Sequence, residues 1–359
     1  MPRHAYSDLP QYCFWRESVA ETAAREVDPV VAAKFKISTS DRVVTAGSCF
    51  AQHISRRLDA AGFCYLVTET AHPAFNARCY RDFNYGVYSA RYGNVYTARQ
   101  LRQLIERAYG QFAPAEDIWS GEGVRVIDPY RPLIQPHGFA CAAELAADRT
   151  QHFAAVRRAI GEMDVFVFTL GLTEAWVSSR DGAVFPLCPG VAGGEFDSAR
   201  CEFRNFDVGE VTDDLAWAIE FIAARNPGAK VVLTVSPVPL SATAEDRSVL
   251  ASTVYSKSVL RVAAEQICRR YSQVAYFPSY EIITGAHARG YFAADLRTVT
   301  EAGVDHVMRL FMKHYAPDAA DASPQAGEEE SPGEKSRRLA SDMETAARLV
   351  CEEEMLGKR

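Results

Sequence analysis

The run Asp164-Val165-Phe166-Val167-Phe168-Thr169-Leu170 constrains this chain more than any other stretch. Apolar side chains at almost consecutive positions leave no polar face for water, so a strand built from them must be covered on both sides. That places it centrally in a parallel sheet with helices above and below. Two similar runs bracket it, Arg42-Val43-Val44-Thr45-Ala46 and Lys230-Val231-Val232-Leu233-Thr234-Val235. Shorter candidates lie at 64–67 and 274–277. Segments with helical spacing alternate with these runs: 50–58, a helix capped by Thr97, then about 142–160, 211–225, 245–270 and 300–314. The alternation over 41–315 predicts one α/β domain with a five-stranded parallel sheet, interrupted by insertions at about 70–160 and 175–210.

Residues 1–40 read as an N-terminal arm packed on that domain. From 316 to 335 the composition turns to Pro, Gly, Ala, Ser and Glu, the mark of a flexible linker. Beyond it, Leu339, Met343, Ala346, Val350 and Leu356 recur at helical spacing, so a C-terminal helix over 336–359 is expected to contact a partner or a second copy.

Charge and cysteine usage narrow the function. A net charge of -7 opposes general nucleic-acid binding. No apolar run approaches the roughly 20 residues of a membrane span, and residues 1–6 lack the apolar core of a secretory signal. Nine cysteines occur without CxxC or zinc-ligand spacing. They read as reduced thiols of a cytoplasmic protein, with no metal site and no resident cofactor.

Each long strand empties into small polar residues: Gly47-Ser48-Cys49, then Gly171-Leu172-Thr173-Glu174, then Ser236-Pro237. In α/β sheets the carboxyl ends of the strands are where ligands bind. Ser48 and Cys49 stand where a strand hands over to a helix, whose N–H groups favour a thiolate or an anion. The plain alternative is a serine N-cap beside a small buried cysteine. Gly93 and Asn94, in an aromatic and glycine-dense stretch, offer backbone and amide donors for the same cleft. Lys257, on the helix after the third long strand, is a further candidate for substrate or oxyanion contact.

The pentapeptide Gly47-Ser48-Cys49-Phe50-Ala51 spells GSCFA, and the chain resembles the GSCFA family, a distant branch of the SGNH (GDSL-type) hydrolases. That resemblance implies a three-layer α/β/α, flavodoxin-like fold with strand order 2-1-3-4-5. It also implies an acyl-transfer enzyme (esterase, deacylase or acyltransferase) acting on an O-acyl group, with a carbohydrate or surface polysaccharide as the substrate class. Acyl-CoA is an allowed co-substrate. In the SGNH register Cys49 takes the nucleophile slot and Ser48 the aspartate slot; a slip of one residue makes Ser48 the nucleophile. Gly171-Leu172-Thr173-Glu174 matches the Gly-x-Asn-Asp block, with Thr173 in place of an oxyanion-hole asparagine. Asp295-Leu296-Arg297-Thr298, followed by Thr300-Glu301-Ala302-Gly303, matches the block that carries the catalytic histidine, and Thr298 occupies that histidine's position.

A threonine hydroxyl cannot serve as a general base near neutral pH. A thiolate at a helix N-terminus depends less on a base than serine does. His287 is the substitute base the sequence offers first; His306 is read as facing solvent. The competing expectation is a ligand-binding or regulatory protein that has kept the cleft and lost the chemistry.

Overall fold

The computed structural model describes residues 4–317 and residue 355. In chain order the elements are β1 (Val43–Gly47), α1 (Phe50–Ala60), α2 (Ala77–Asp82), α3 (Ala98–Ala108), β2 (Trp119–Ser120), β3 (Val126–Ile127) and α4 (Ala142–Glu162). Next come β4 (Val165–Leu170), β5 (Glu174–Ser178), β6 (Val184–Phe185), β7 (Cys201–Asn205) and α5 (Val208–Arg225). The last are β8 (Lys230–Val235), α6 (Val249–Arg270), β9 (Val274–Tyr276), α7 (Ser279–Thr284) and α8 (Glu301–Tyr315).

The main sheet is parallel, in the order β1-β4-β8-β9, with β4 inside it as its apolar run requires. Side chains alternate across it. Val44, Ala46, Phe166, Phe168, Leu170, Val231 and Leu233 point to a core closed by α3, α4, α5 and α6. Val43, Val165, Val167, Val232 and Ala275 point the other way, to a core closed by α1, α7 and α8. The result is the expected three-layer α/β/α arrangement. Thr97 and Asp207 each start their helix with a reciprocal capping box, to Gln100 and Glu210.

One expected strand is nearly absent, so the sheet has four strands rather than five. The stretch 64–67 touches the sheet edge through a single parallel bridge, Tyr65 to Val43. Cys64 O accepts from Val43 N–H and Leu66 N–H donates to Val43 O, but Thr68 N–H already goes to Ser89 O. The chain is drawn away from the edge by the segment it pairs with next.

The insertion after β4 carries a second, antiparallel sheet, β6-β5-β7, which the sequence reading did not foresee. Trp176 faces Phe185 on one neighbour and Phe203 on the other. The N-terminal segment packs on the α/β core: Ile37 N–H donates to Tyr315 O, and Lys34 Nζ donates to Val274 O at 2.7 Å. The expected C-terminal helix over 336–359 and most of the expected linker lie outside the described residues.

Candidate functional site at the strand ends

Gly47 opens the site. Its φ is +138°, a conformation that side chains rarely adopt, and a Cβ there would stand 2.3 Å from Thr169 O. Glycine therefore lets β1 lie against β4 up to its last residue. Ser48 N–H donates to Thr169 O at 3.1 Å, and Cys49 becomes the N-cap residue of α1. Gly171 closes over them from β4, where a Cβ would come within 3.0 Å of Ser48 Cβ. Both Ser48 and Cys49 are buried, and Ser48 Oγ has no hydrogen-bond partner among the described residues. A buried hydroxyl left in that state is costly.

The segment with Gly93 and Asn94 reaches the same end of the sheet. Val95 N–H donates to Gly47 O at 2.8 Å, so the segment holding Gly93 (φ +74°) and Asn94 lies alongside the end of β1. Asn94 is buried, and its Oδ1 accepts from Gln52 Nε2 of α1 at 3.2 Å. Helix α6 fixes the other wall. Lys257, 1% exposed, donates from Nζ to Gly171 O at 2.6 Å, and Ser256 Oγ accepts from Thr173 N–H at 3.0 Å. Ser236 N–H donates to Leu170 O, which brings the end of β8 to the same level.

Thr173 and Glu174 face a neighbouring compartment. Thr173 Oγ1 donates to Asn205 Oδ1 at 2.7 Å, and Asn205 Nδ2 donates to Glu245 Oε1 at 2.9 Å. Glu174 accepts from Thr243 Oγ1 at 2.8 Å, and burial raises its pKa despite that bond. Here a cavity of about 280 Å³ opens, walled by Leu172, Trp176, Phe185, Phe203 and Leu240, with Glu174 as its carboxylate.

Asp295 and Thr298 stand together, and both are exposed. Asp295 Oδ2 accepts from Thr298 Oγ1 at 2.5 Å, and Oδ1 accepts from the N–H groups of Thr298 and Arg297. The Thr298 hydroxyl and those N–H groups hold the carboxyl below its usual range. Arg297 Nε donates to Pro239 O at 3.2 Å and ties this turn to the segment after β8.

Two histidines singled out by the sequence have defined surroundings. His287 is half-buried against Gly285, with Nε2 unpartnered among the described residues and its pKa lowered by burial. His306 corrects the sequence reading: it is buried, not solvent-facing. Its Nδ1 lies 2.8 Å from Tyr291 Oη and its Nε2 lies 3.0 Å from Val27 O of the arm. Burial, with repulsion from Arg309, pushes its pKa down to about 4.

The family model that matches this sequence is the GSCFA family, over residues 42–311. The chain belongs to the GSCFA family. The matched region starts at β1 and ends within α8, so it holds both the strand-end site and the Asp295 turn. Among curated proteins none matches. Two solved structures are similar at 14% identity each. One is a candidate platelet activating factor from Streptococcus pneumonia (TM-score 0.27, 47% of this chain, 65% of that one, just under two thirds of its length). The other is a carbohydrate esterase family 2 enzyme with its carbohydrate binding domain, from Corynascus thermopiles (Myceliophthora fergusii) (TM-score 0.28, 82% of this chain, 68% of that one). At such scores the reading of the GSCFA site rests on its own geometry.

Two features of that site escaped the sequence. Gln52 joins Asn94 from one turn into α1, a position that i, i+4 spacing from Ser48 would have suggested. The second is a buried charge cluster behind Asn94. Arg91 pairs with Asp148 at 2.9 Å, and Arg131 pairs with Asp128 and Asp148. His152 Nδ1 meets Glu69 at 2.8 Å. Burial opposes ionisation of Glu69, but His152 and Arg131 outweigh it and hold the carboxyl at about 2. These partners are far apart in sequence, and only Asp128 and Arg131 share a local motif.

Proposed function

We propose that this GSCFA protein is an acyl-transfer hydrolase of SGNH type, an esterase or deacylase, with its nucleophile at the end of β1. The observation that carries the reading is the convergence at Ser48. A buried, unpartnered hydroxyl and the Cys49 N-cap are enclosed by Gly171, by the Asn94–Gln52 amide pair and by the Lys257-anchored end of β4.

Cys49 is the preferred nucleophile. Its Sγ, deprotonated, bonds to the acyl carbon of the ester, and the negative charge moves to the carbonyl oxygen. In this reading the backbone N–H groups at the start of α1 are the donors for that oxyanion, with the Asn94 side chain assigned beside them. The acyl–oxygen bond then breaks, and the departing alkoxide takes a proton. Water cleaves the resulting thioester to release the carboxylic acid and restore the thiol. Acyl transfer to another hydroxyl, from an ester or from acyl-CoA, differs only in the group that replaces water. The cavity beside Glu174 suits the part of the substrate beyond the reacting carbon, and an O-acylated carbohydrate is the class that the resemblance implies.

A second reading has its own observation. The Asp295 carboxylate is satisfied by Thr298 and by backbone N–H groups, where a hydrolase of this type would orient a histidine. That favours a ligand-binding protein. Acyl esters of graded length and acyl-CoA donors, tested against wild type, Cys49→Ala and Ser48→Ala, separate the two. Turnover lost in Cys49→Ala supports the enzyme; tight binding of an ester without turnover in any of the three supports the binder.

A further inference from the structure

A small cavity lies behind Asn94, lined by Gln100, Gln103, Leu104 and Arg107 of α3 and by His152 of α4. Its volume is about 30 Å³, room for two or three waters. Almost every polar group on its wall is already used. Gln100 Oε1 accepts from Tyr96 and Thr97 N–H, and Gln103 is shared between Gly182 O and Val184 N–H. Arg131 is spent on Asp128, Asp148 and Arg91 O.

Two buried groups are left over, besides the amide nitrogen of half-buried Gln100, for which no hydrogen bond is present among the described residues. Arg107 is buried, with its guanidinium 3.8 Å from the Tyr130 ring centroid and 5.2 Å from that of Phe153, and no hydrogen bond or ion pair to it is present among the described residues. His152 is 1% exposed, and its Nε2 has no partner among the described residues. Burial, with repulsion from Arg149 and Arg131, pushes the Arg107 pKa down to about 10 even though Asp128 opposes the shift. The carboxylates nearby are committed to other cations: Glu69 to His152 and Arg91, Asp148 to Arg91 and Arg131, Asp128 to Arg131. The one exposed acid in the group, Asp117, takes Arg149.

The donor set specifies the occupant. His152 donates from Nδ1 to Glu69, so in its neutral form Nε2 presents a lone pair to the cavity. A halide would meet Arg107 well and that lone pair badly. A carboxylic acid meets both, since one oxygen accepts from the guanidinium fork and the other brings a proton to Nε2. We propose that the cavity binds a short carboxylate, of formate or acetate size, between Arg107 and His152, with uptake of one proton.

The proton is shared on the axis between the carboxylate and Nε2, and Glu69 stabilises the imidazolium from the far side. The site stands independently of the acyl-transfer reading. Asn94 lines this cavity and also contacts α1 of the strand-end site, so the carboxylate can come from solution or from the acid released there.

Calorimetric titration of the wild-type protein with formate, acetate, propionate, butyrate and bromide, in two buffers of different ionisation heat, tests this. Expected are binding of formate and acetate, weaker binding as the chain lengthens, uptake of about one proton and an affinity that falls about tenfold per pH unit above neutrality. Arg107→Met should weaken acetate roughly tenfold or more, and in carboxylate-free buffer it should melt no lower than wild type, because it removes a buried charge that has no ion pair among the described residues. Binding of free acetate by wild type and Cys49→Ala alike identifies solution as the source. Carbon-13-labelled acid retained only after ester turnover, and absent in Cys49→Ala, identifies the reaction. Bromide binding as tight as acetate with no proton uptake, or no binding of any of these ions together with no retained acid, overturns the proposal.

Discussion

Gly47 and Thr169 are pressed together where β1 and β4 end, so closely that a Cβ on residue 47 would stand 2.3 Å from the Thr169 carbonyl oxygen. The contact leaves Thr169 O free to accept Ser48 N–H, and so it sets the direction in which the chain enters α1. Gly47→Ala adds both backbone strain at φ +138° and a steric overlap that the sheet cannot relieve. We expect a loss of about 3 kcal/mol or more in unfolding free energy, measured by urea denaturation. A loss below about 1 kcal/mol would mean that the two strand ends can separate.

Ser256 holds the end of β4 from α6. Ser256→Ala removes the acceptor for Thr173 N–H and leaves a buried donor unpaired. The expected cost is about 1–3 kcal/mol by the same measurement. Hydrogen exchange at Thr173 should quicken more than at Phe168, in the middle of β4, which keeps its ladder bonds.

Arg91 and Arg107 should behave oppositely. Arg91 is bound by Asp148 and Glu69 and donates to Phe83 O and Ile134 O. Arg91→Met takes one of two side-chain partners from Glu69 and from Asp148 and removes the donor to Phe83 O and Ile134 O, and a loss of about 3 kcal/mol is expected. Arg107→Met breaks no ion pair among the described residues. Equal destabilisation of the two variants would contradict the assignment of Arg107 as the unpaired member.

How far the sequence could be read follows from these examples. Strands β1, β4 and β8 were legible because a strand buried on both faces must be apolar at nearly every position. The stretch 64–67 has the same composition but only one bridge, because Thr68 is bonded to a distant segment that composition does not reveal. Gly47, Ser48, Cys49 and Gly171 were legible as strand ends, and they do come together. The Arg91, Arg107 and His152 cluster was not, because its members meet only in three dimensions. His306 shows the limit of helical spacing: its face of α8 is covered by the N-terminal arm, which a helical wheel does not contain.

That coverage predicts a pH dependence. His306 is held neutral, with its folded pKa at about 4 against an ordinary 6.5, so the unfolded chain binds the extra proton between those values. Its contribution is complete above about pH 6.5 and is lost as the pH falls toward 4. His53, pushed down to about 4 by burial and by Arg56 and Arg57, has the same sign. His306→Gln should flatten the fall in stability between these limits by an amount on the order of 2 kcal/mol. Parallel curves for wild type and variant would show that His306 does not titrate on unfolding.

Whether the end of β1 carries an acyl-transfer nucleophile is decided by trapping the acyl-enzyme. Wild type, Cys49→Ala and Ser48→Ala are mixed with an activated acyl ester, quenched in acid within the first turnover, digested and weighed by mass spectrometry. The peptide containing residues 48 and 49 is expected to gain the mass of one acyl group, on Cys49, with the gain abolished in Cys49→Ala and retained in Ser48→Ala. Hydrolysis of the ester at an undiminished rate in both variants, with no acyl group on that peptide, would contradict this expectation.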